Sequence, residues 1–212
     1  ASTGDEDSGA DSDSDADSDM DSDADADADG GEDTSPDGQG TLRGTVLAPN
    51  GSLPISGALV YLTDGDAEPI EDGAHCYGCD DMTGKKWTLS GPTGEWELAD
   101  APAGVHNIIT SKGLFRRQRS VEVAADEVID VPVETTTLPS SRSDDGLDVI
   151  PNYAVLLNEW DQQHNLLAKL GLGSFDTSGN FEFGSESFTI YNDDLSQSGY
   201  PWSSQLFTSQ ET

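Results

Sequence analysis

Residues 54–63 read PISGALVYLT, and this stretch decides the fold. Pro54 and Gly57 mark a turn. The residues that follow are apolar and of the kinds that suit a pleated strand. The same grammar repeats outward in both directions. Upstream, residues 41–49 (TLRGTVLAP) alternate apolar and polar and end at the turn signal Asn50-Gly51. Downstream, residues 85–90 and 95–99 flank the turn Gly91-Pro92-Thr93-Gly94, and Ala101-Pro102-Ala103-Gly104 turns the chain into residues 105–111. Lys112-Gly113 leads into residues 115–123, and residues 127–134 close the series. Short strands spaced about 8–12 residues apart, with Gly/Pro turns between them, predict a mainly β chain built on a sandwich or small barrel. The predicted core is Leu42, Val46, Ala58, Val60, Leu62, Trp87, Leu89, Trp96, Leu98, Ile108, Phe115, Val121, Val123, Val131 and Val133.

Before these strands lies a segment of another kind. Residues 1–40 hold sixteen acidic side chains and no Lys or Arg, and from Asp11 to Asp29 nearly every second residue is Asp. Such a composition buries too little apolar surface to offset chain entropy, so a disordered acidic tether is expected. The full chain of 212 residues carries a net charge of −33, so the remainder is acidic too. That argues against nucleic acid or an anionic membrane as a partner, because both select Lys/Arg patches. The only basic cluster is Arg116, Arg117 and Arg119, next to Lys112, and it reads as a solvated strand face. No run approaches the roughly 20 apolar residues that span a bilayer. The chain begins at Ala1, which suggests a processed chain with an export signal and a lipidated Cys upstream, and hence display on a bacterial cell surface.

Several motifs together resemble the carboxypeptidase regulatory-like domain. They are Gly44-x-Val46, Pro54-Ile55-x-Gly57-Ala58-x-Val60-x-Leu62, Thr93-Gly94-x-Trp96-x-Leu98, Ala101-Pro102-x-Gly104, Lys112-Gly113 and Val131-Pro132-Val133. Their order and spacing carry the resemblance over residues 40–136. It implies a seven-strand transthyretin-like (prealbumin-like) β-sandwich acting as a non-catalytic accessory or adhesion module of an exported bacterial protein. The chain departs from that pattern in a long Asp/Gly-rich loop, residues 64–84.

Beyond the sandwich, at 41–134, residues 135–146 (TTTLPSSRSDDG) read as an exposed linker. In the segment 147–212, residues 149–157 read as one buried strand. Residues 159–170 read as a helix with Trp160, Leu166, Leu167 and Leu170 inward and Gly171 as its stop. Residues 181–183 and 188–191 are further strand candidates. A strand feeding a helix opens an α/β sheet. The segment looks like the start of a flavodoxin-like or amidotransferase-like domain, cut short.

Three constellations bear on chemistry. Asp25, Asp27 and Asp29, with Gly30 and then Asp33, match the register of a calcium loop, but Pro36 stands where the closing carboxylate belongs. A solvated polyanion is the plainer reading, with calcium as the one cofactor to consider. In the loop, His75-Cys76-Tyr77-Gly78-Cys79-Asp80-Asp81 pairs Cys76 with Cys79. In an exported protein this is most simply a disulfide, with zinc and redox chemistry as the alternatives. The three histidines, His75, His106 and His164, stand outside any nucleophile elbow or HExxH motif. His106 falls on a strand, and His164 on the outer side of the helix. Trp87 and Trp96 suit a sugar-stacking platform, against a core role. Together these readings predict a non-enzymatic extracellular module that binds a protein or carbohydrate ligand. The rival is an accessory part of an exported enzyme whose catalytic domain lies beyond Thr212.

Overall fold

The alternating stretches pair into two sheets that face each other. The computed structural model describes residues 38–70, 82–193 and 197–208. The chain divides into Ala1–Thr34 and Ser35–Thr212, and every described residue belongs to the second unit. The first seven strands are β1 (Gln39–Thr45), β2 (Leu59–Thr63), β3 (Trp87–Leu89), β4 (Glu95–Pro102), β5 (Gly104–Lys112), β6 (Phe115–Val123) and β7 (Val128–Asp130). One sheet has the order β4-β1-β7. The other is β3-β2-β5-β6 and gains β8 (Asp148–Val149) at its edge beside β6. β1 runs antiparallel to β4 and parallel to β7. Only Ala103 separates β4 from β5, so the chain turns a sharp corner there between the two sheets.

Leu42, Trp96, Leu98 and Ala101 from one sheet meet Val60, Leu62, Ile108 and Val123 from the other in a single buried cluster. The chain is therefore mainly β and forms a sandwich. Each fully buried aliphatic side chain in it contributes about 1.5–3 kcal/mol. Gly44 has a packing role here: a Cβ at this position would sit 2.9 Å from Cζ2 of the Trp96 ring. The indole occupies the space that a side chain on β1 would fill.

The predicted core needs three corrections. Trp87 and Leu89 are 48% and 54% exposed. Thr88 lies opposite the inward Val60, so its two neighbours on β3 point to the outer face. Val133 is exposed as well, because the chain leaves β7 and turns through a short helix, α1 (Val133–Thr136). The stretch read as an exposed linker also packs down. Thr136 Oγ1 donates to the Thr45 carbonyl at 2.9 Å, Leu138 N–H donates to Leu47 O at 2.9 Å, and both residues are buried.

Residues 149–157 do not form one strand. β8 ends at Val149, and β9 (Ala154–Leu157) starts after Pro151, whose missing N–H breaks the ladder. β9 pairs in parallel with β10 (Thr189–Asn192). Between them lies α2 (Gln163–Leu167), which runs into a wide π turn over Ala168–Leu172. No strand forms over residues 181–183; Phe181 makes only an isolated bridge to Phe175. A last helix, α3 (Ser203–Thr208), follows.

A second buried cluster joins Ile150, Val155, Leu157, Ala168, Leu172, Phe181, Phe188 and Ile190. Phe115 of β6 packs against both clusters. The helical phase differs from the sequence reading. Trp160 is 86% exposed and Leu166 61%, while His164, Ala168 and Leu172 face inward. Asn158 Oδ1 accepts the backbone N–H of Trp160 and of Asp161, holding a turn that delays α2 until Gln163. That delay leaves Trp160 outside the helix and brings His164 inside, contrary to its expected outer position.

Candidate functional site

The outer face of the five-stranded sheet carries a groove, built by the first part of the inserted loop. Because neighbouring residues of a strand point to opposite faces, Tyr61, Ile109, Gln118 and Arg116 share the outer side. Ile109 is fully buried there, although it points away from the sandwich core. Residues 64–70 lie as a strap over this face. Gln118 Oε1 accepts the N–H of Ala67 at 2.9 Å, and its Nε2 donates to Asp66. Asn107 Nδ2 donates to Gly65 O at 3.2 Å, and Arg116 Nη1 donates to Glu68 O. His106 anchors the start of the strap. Its Nδ1 lies 2.8 Å from Asp64 Oδ1, and its Nε2 lies 2.9 Å from Pro102 O.

Between the strap and the returning chain at Lys85 lies a hollow of about 540 Å³. Tyr61, Lys85, Ser111 and Arg116 line it together with Glu68 and Ile70 of the strap. The Lys85 ammonium stands 5.1 Å from the Tyr61 ring centre, a cation–π contact. Trp87, paired with Tyr61 across β2 and β3, presents its half-exposed indole on the same face. A second hollow of about 490 Å³ opens on the other side of the strap, toward Arg142 and Ser143. An aromatic ring, a hydroxyl and two cations around a concavity, with the exposed indole of Trp87 on the same sheet face, suit polar ligands bound by stacking and hydrogen bonding.

The arginines do not form a solvated basic face. Arg117 and Arg119 lie on the inward side of β6, beside Asp148 of β8. Arg117 holds its carboxylate in a fork, Nε to Oδ1 at 3.0 Å and Nη2 to Oδ2 at 2.9 Å, and Arg119 Nη2 adds a contact of 2.8 Å. Burial alone pushes the Asp148 carboxyl up. The hydrogen bonds and charges of both arginines outweigh that and hold it below the ordinary carboxylate value. Arg116 points the opposite way, to the strap. These charges therefore go to internal ties that the sequence does not reveal.

Trp87 and Trp96 are not a shared platform, since Trp96 is buried inside the sandwich and Trp87 lies on the outer face. Cys76, Cys79 and His75, and the ladder Asp25, Asp27, Asp29 and Asp33, lie outside the described residues. Among the described residues, no three His, Cys, Asp or Glu side chains converge as a metal site, and no helix is long and apolar enough to cross a membrane. The groove itself was not foreseen. The signal available for it was the length of the insert between two strands that pair directly, β2 and β3.

No protein-family model matches the chain, and no curated protein matches it. Among solved structures, it is similar to the TIE protein of Bacillus anthracis, with 15% identity and a TM-score of 0.31 over 48% of this chain and 16% of that one. The major pilin subunit of Bacillus cereus gives 12% and 0.33, over 48% of this chain and 30% of that one. A putative carbohydrate binding protein of Pseudomonas aeruginosa gives 14% and 0.34, over 48% and 88%. The matched region thus spans less than a third of the first two structures.

Proposed function

We propose that this chain is a non-catalytic extracellular binding module, displayed on a bacterial cell surface, whose strapped groove takes a carbohydrate or protein ligand. The observation that carries this reading is the strap. Asn107, Arg116 and Gln118 hold the seven-residue strap over the sheet and so create a concave surface lined by Tyr61, Lys85, Ser111 and Arg116 where a plain sandwich presents a flat one. In this reading residues 1–40 are an acidic spacer, the sandwich follows, and residues 147–212 begin an α/β segment. Membership of the carboxypeptidase regulatory-like family belongs to the same proposal. It is supported by Gly57 and Gly94, both at positive φ, and by the fit of Gly44 against Trp96.

A second reading, an accessory part of an exported enzyme, is favoured by the parallel β9–α2–β10 unit, the building block of α/β sheets. The parent reading frame separates the two. Several further strand–helix units carrying a nucleophile would support the accessory role.

The groove is tested by applying the full chain to an array of polysaccharides and peptides. A hit is expected, and Trp87→Ala, which removes an exposed ring without opening the core, is expected to weaken it at least about tenfold. Binding unchanged in Trp87→Ala and in Lys85→Ala would overturn the groove reading. Cys76 and Cys79 are proposed to be bridged, so unreduced mass spectrometry should show a deficit of two hydrogens. Free thiols with stoichiometric zinc would contradict it. Asp25, Asp27, Asp29 and Asp33 are proposed to take up calcium only loosely, as part of the polyanion, with no saturable site in a calcium titration.

A further inference from the structure

Another recess lies far from the groove in sequence, at the carboxyl end of β9. It encloses about 290 Å³. Leu157, the last residue of β9, lines it together with Asn158, Glu159, Gln162, His164, Phe183 and Gln197. Three of these side chains are neutral amides, and none carries a positive charge.

The recess is supported on each side. Asn192, at the end of β10, is buried. Its Oδ1 accepts Gln197 N–H at 2.8 Å, and its Nδ2 donates to Gln197 O at 3.1 Å and to Tyr200 O at 2.8 Å. Asn158 is fixed by the turn that starts α2. His164 is nine-tenths buried, edge-on to Phe181 at 5.0 Å between ring centres and stacked on Phe183 at 5.9 Å.

Among the lining side chains, His164 Nδ1 is buried without a hydrogen-bond partner. An unmet buried polar atom is costly, and it marks a place where a partner is to be supplied. Burial pushes the imidazole pKa down, so the ring is neutral at pH 7 and offers one donor and one acceptor.

The lining selects the ligand class. Among the described lining residues an anion finds no cation and meets Glu159. A bare metal ion finds one imidazole and one carboxylate, short of a coordination shell. Asn158 Oδ1 and Gln162 Oε1 already accept hydrogen bonds within the chain, so these two amides offer their NH2 donors to hydroxyl oxygens, Gln197 adds a third amide, and a half-exposed Phe183 offers a face to an apolar ring surface. We infer that this recess binds a neutral monosaccharide unit, its hydroxyls held by Asn158, Gln162 and Gln197 and its apolar face against Phe183. The site is distinct from the strapped groove and does not rest on it.

The test uses the full chain with its histidine rings ¹⁵N-labelled, titrated separately with the methyl glycosides of glucose, galactose, mannose and N-acetylglucosamine. At least one is expected to show saturation transfer and to move the His164 ring resonances. Gln162→Ala, at an exposed position, should weaken that binding about fivefold, the equivalent of one hydrogen bond, and leave the melting temperature in place. Phe183→Ala should weaken it further, and Trp87→Ala should not change it. The inference is overturned if none of the four glycosides perturbs His164. It is equally overturned if inorganic phosphate or zinc moves the ring in their place, or if Gln162→Ala and Phe183→Ala both bind as well as the parent chain.

Discussion

The sandwich and the segment that follows it solve the same packing problem in opposite ways. In the sandwich, two sheets bury aliphatic side chains against each other, and the strands that meet are distant in sequence. In the later segment, two parallel strands and a short irregular helix close over a smaller cluster of mixed aliphatic and aromatic side chains. The first core is sealed by backbone ladders. The second has one short two-strand ladder and otherwise rests on side-chain contacts and on what it borrows from the sandwich through Phe115. Order in the second region should accordingly be weaker and more local.

The largest expected effect tests that contrast. Ile108→Ala empties space in the centre of the sandwich and should cost about 2–5 kcal/mol, lowering the whole unfolding transition. Ile190→Ala, just as buried but in the second cluster, should give an early, partial transition that leaves the sandwich signal in place. Thermal melts followed by far-ultraviolet and tryptophan signals make the comparison. A single common transition in both variants would break it.

The joint between the regions comes next. Asn50, in the turn after β1, donates twice to the π turn that follows α2, N–H to Leu170 O at 2.9 Å and Nδ2 to Lys169 O at 2.8 Å. Gly171 follows at φ +97°, where a Cβ would lie 2.4 Å from the Asn50 nitrogen. Gly171→Ala should therefore cost about 1–3 kcal/mol and speed hydrogen exchange in the second region alone. Uniform exchange across both regions would show that the joint carries no separate weight.

These two regions also differ in how much their sequences disclose. Strand alternation and the turns at Asn50-Gly51, Gly91–Gly94 and Lys112-Gly113 place β1 to β6 closely, because period-two patterning and turn chemistry are local. Local patterning does not show which face of a short edge strand is covered, so by pattern alone Trp87 and Leu89 read as core residues. Nor does it show that Pro151 divides an apolar run, or that Asn158 delays a helix and rotates its buried face onto His164. The groove depends on contacts between residues about 40 to 50 apart, Asn107 with Gly65 and Gln118 with Ala67, which no periodicity encodes.

A smaller effect concerns the seam where β8 joins the sandwich. Asp148→Asn leaves Arg117 and Arg119 without their carboxylate and should cost about 2 kcal/mol. Because the folded carboxyl titrates below its unfolded value, its contribution is full above about pH 4 and is lost as pH falls through the folded pKa. The acid limb of the stability profile should flatten in the variant. An unchanged limb would show that Asp148 is not coupled to folding. The smallest effect belongs to Arg43 and Asp130, an exposed pair on β1 and β7. Asp130→Asn should leave the denaturation midpoint unmoved within error, in contrast to the enclosed Asp148.

The central claim is that the strapped outer face of the five-stranded sheet is where this molecule meets its ligand. Backbone and side-chain resonances of the full chain, followed during titration with the strongest array ligand, test it most directly. The account expects shifts concentrated at Tyr61, Lys85, Trp87, Ser111 and Arg116, and lost in Trp87→Ala. Shifts confined to the opposite sheet, around Arg43 and Glu97, would contradict it.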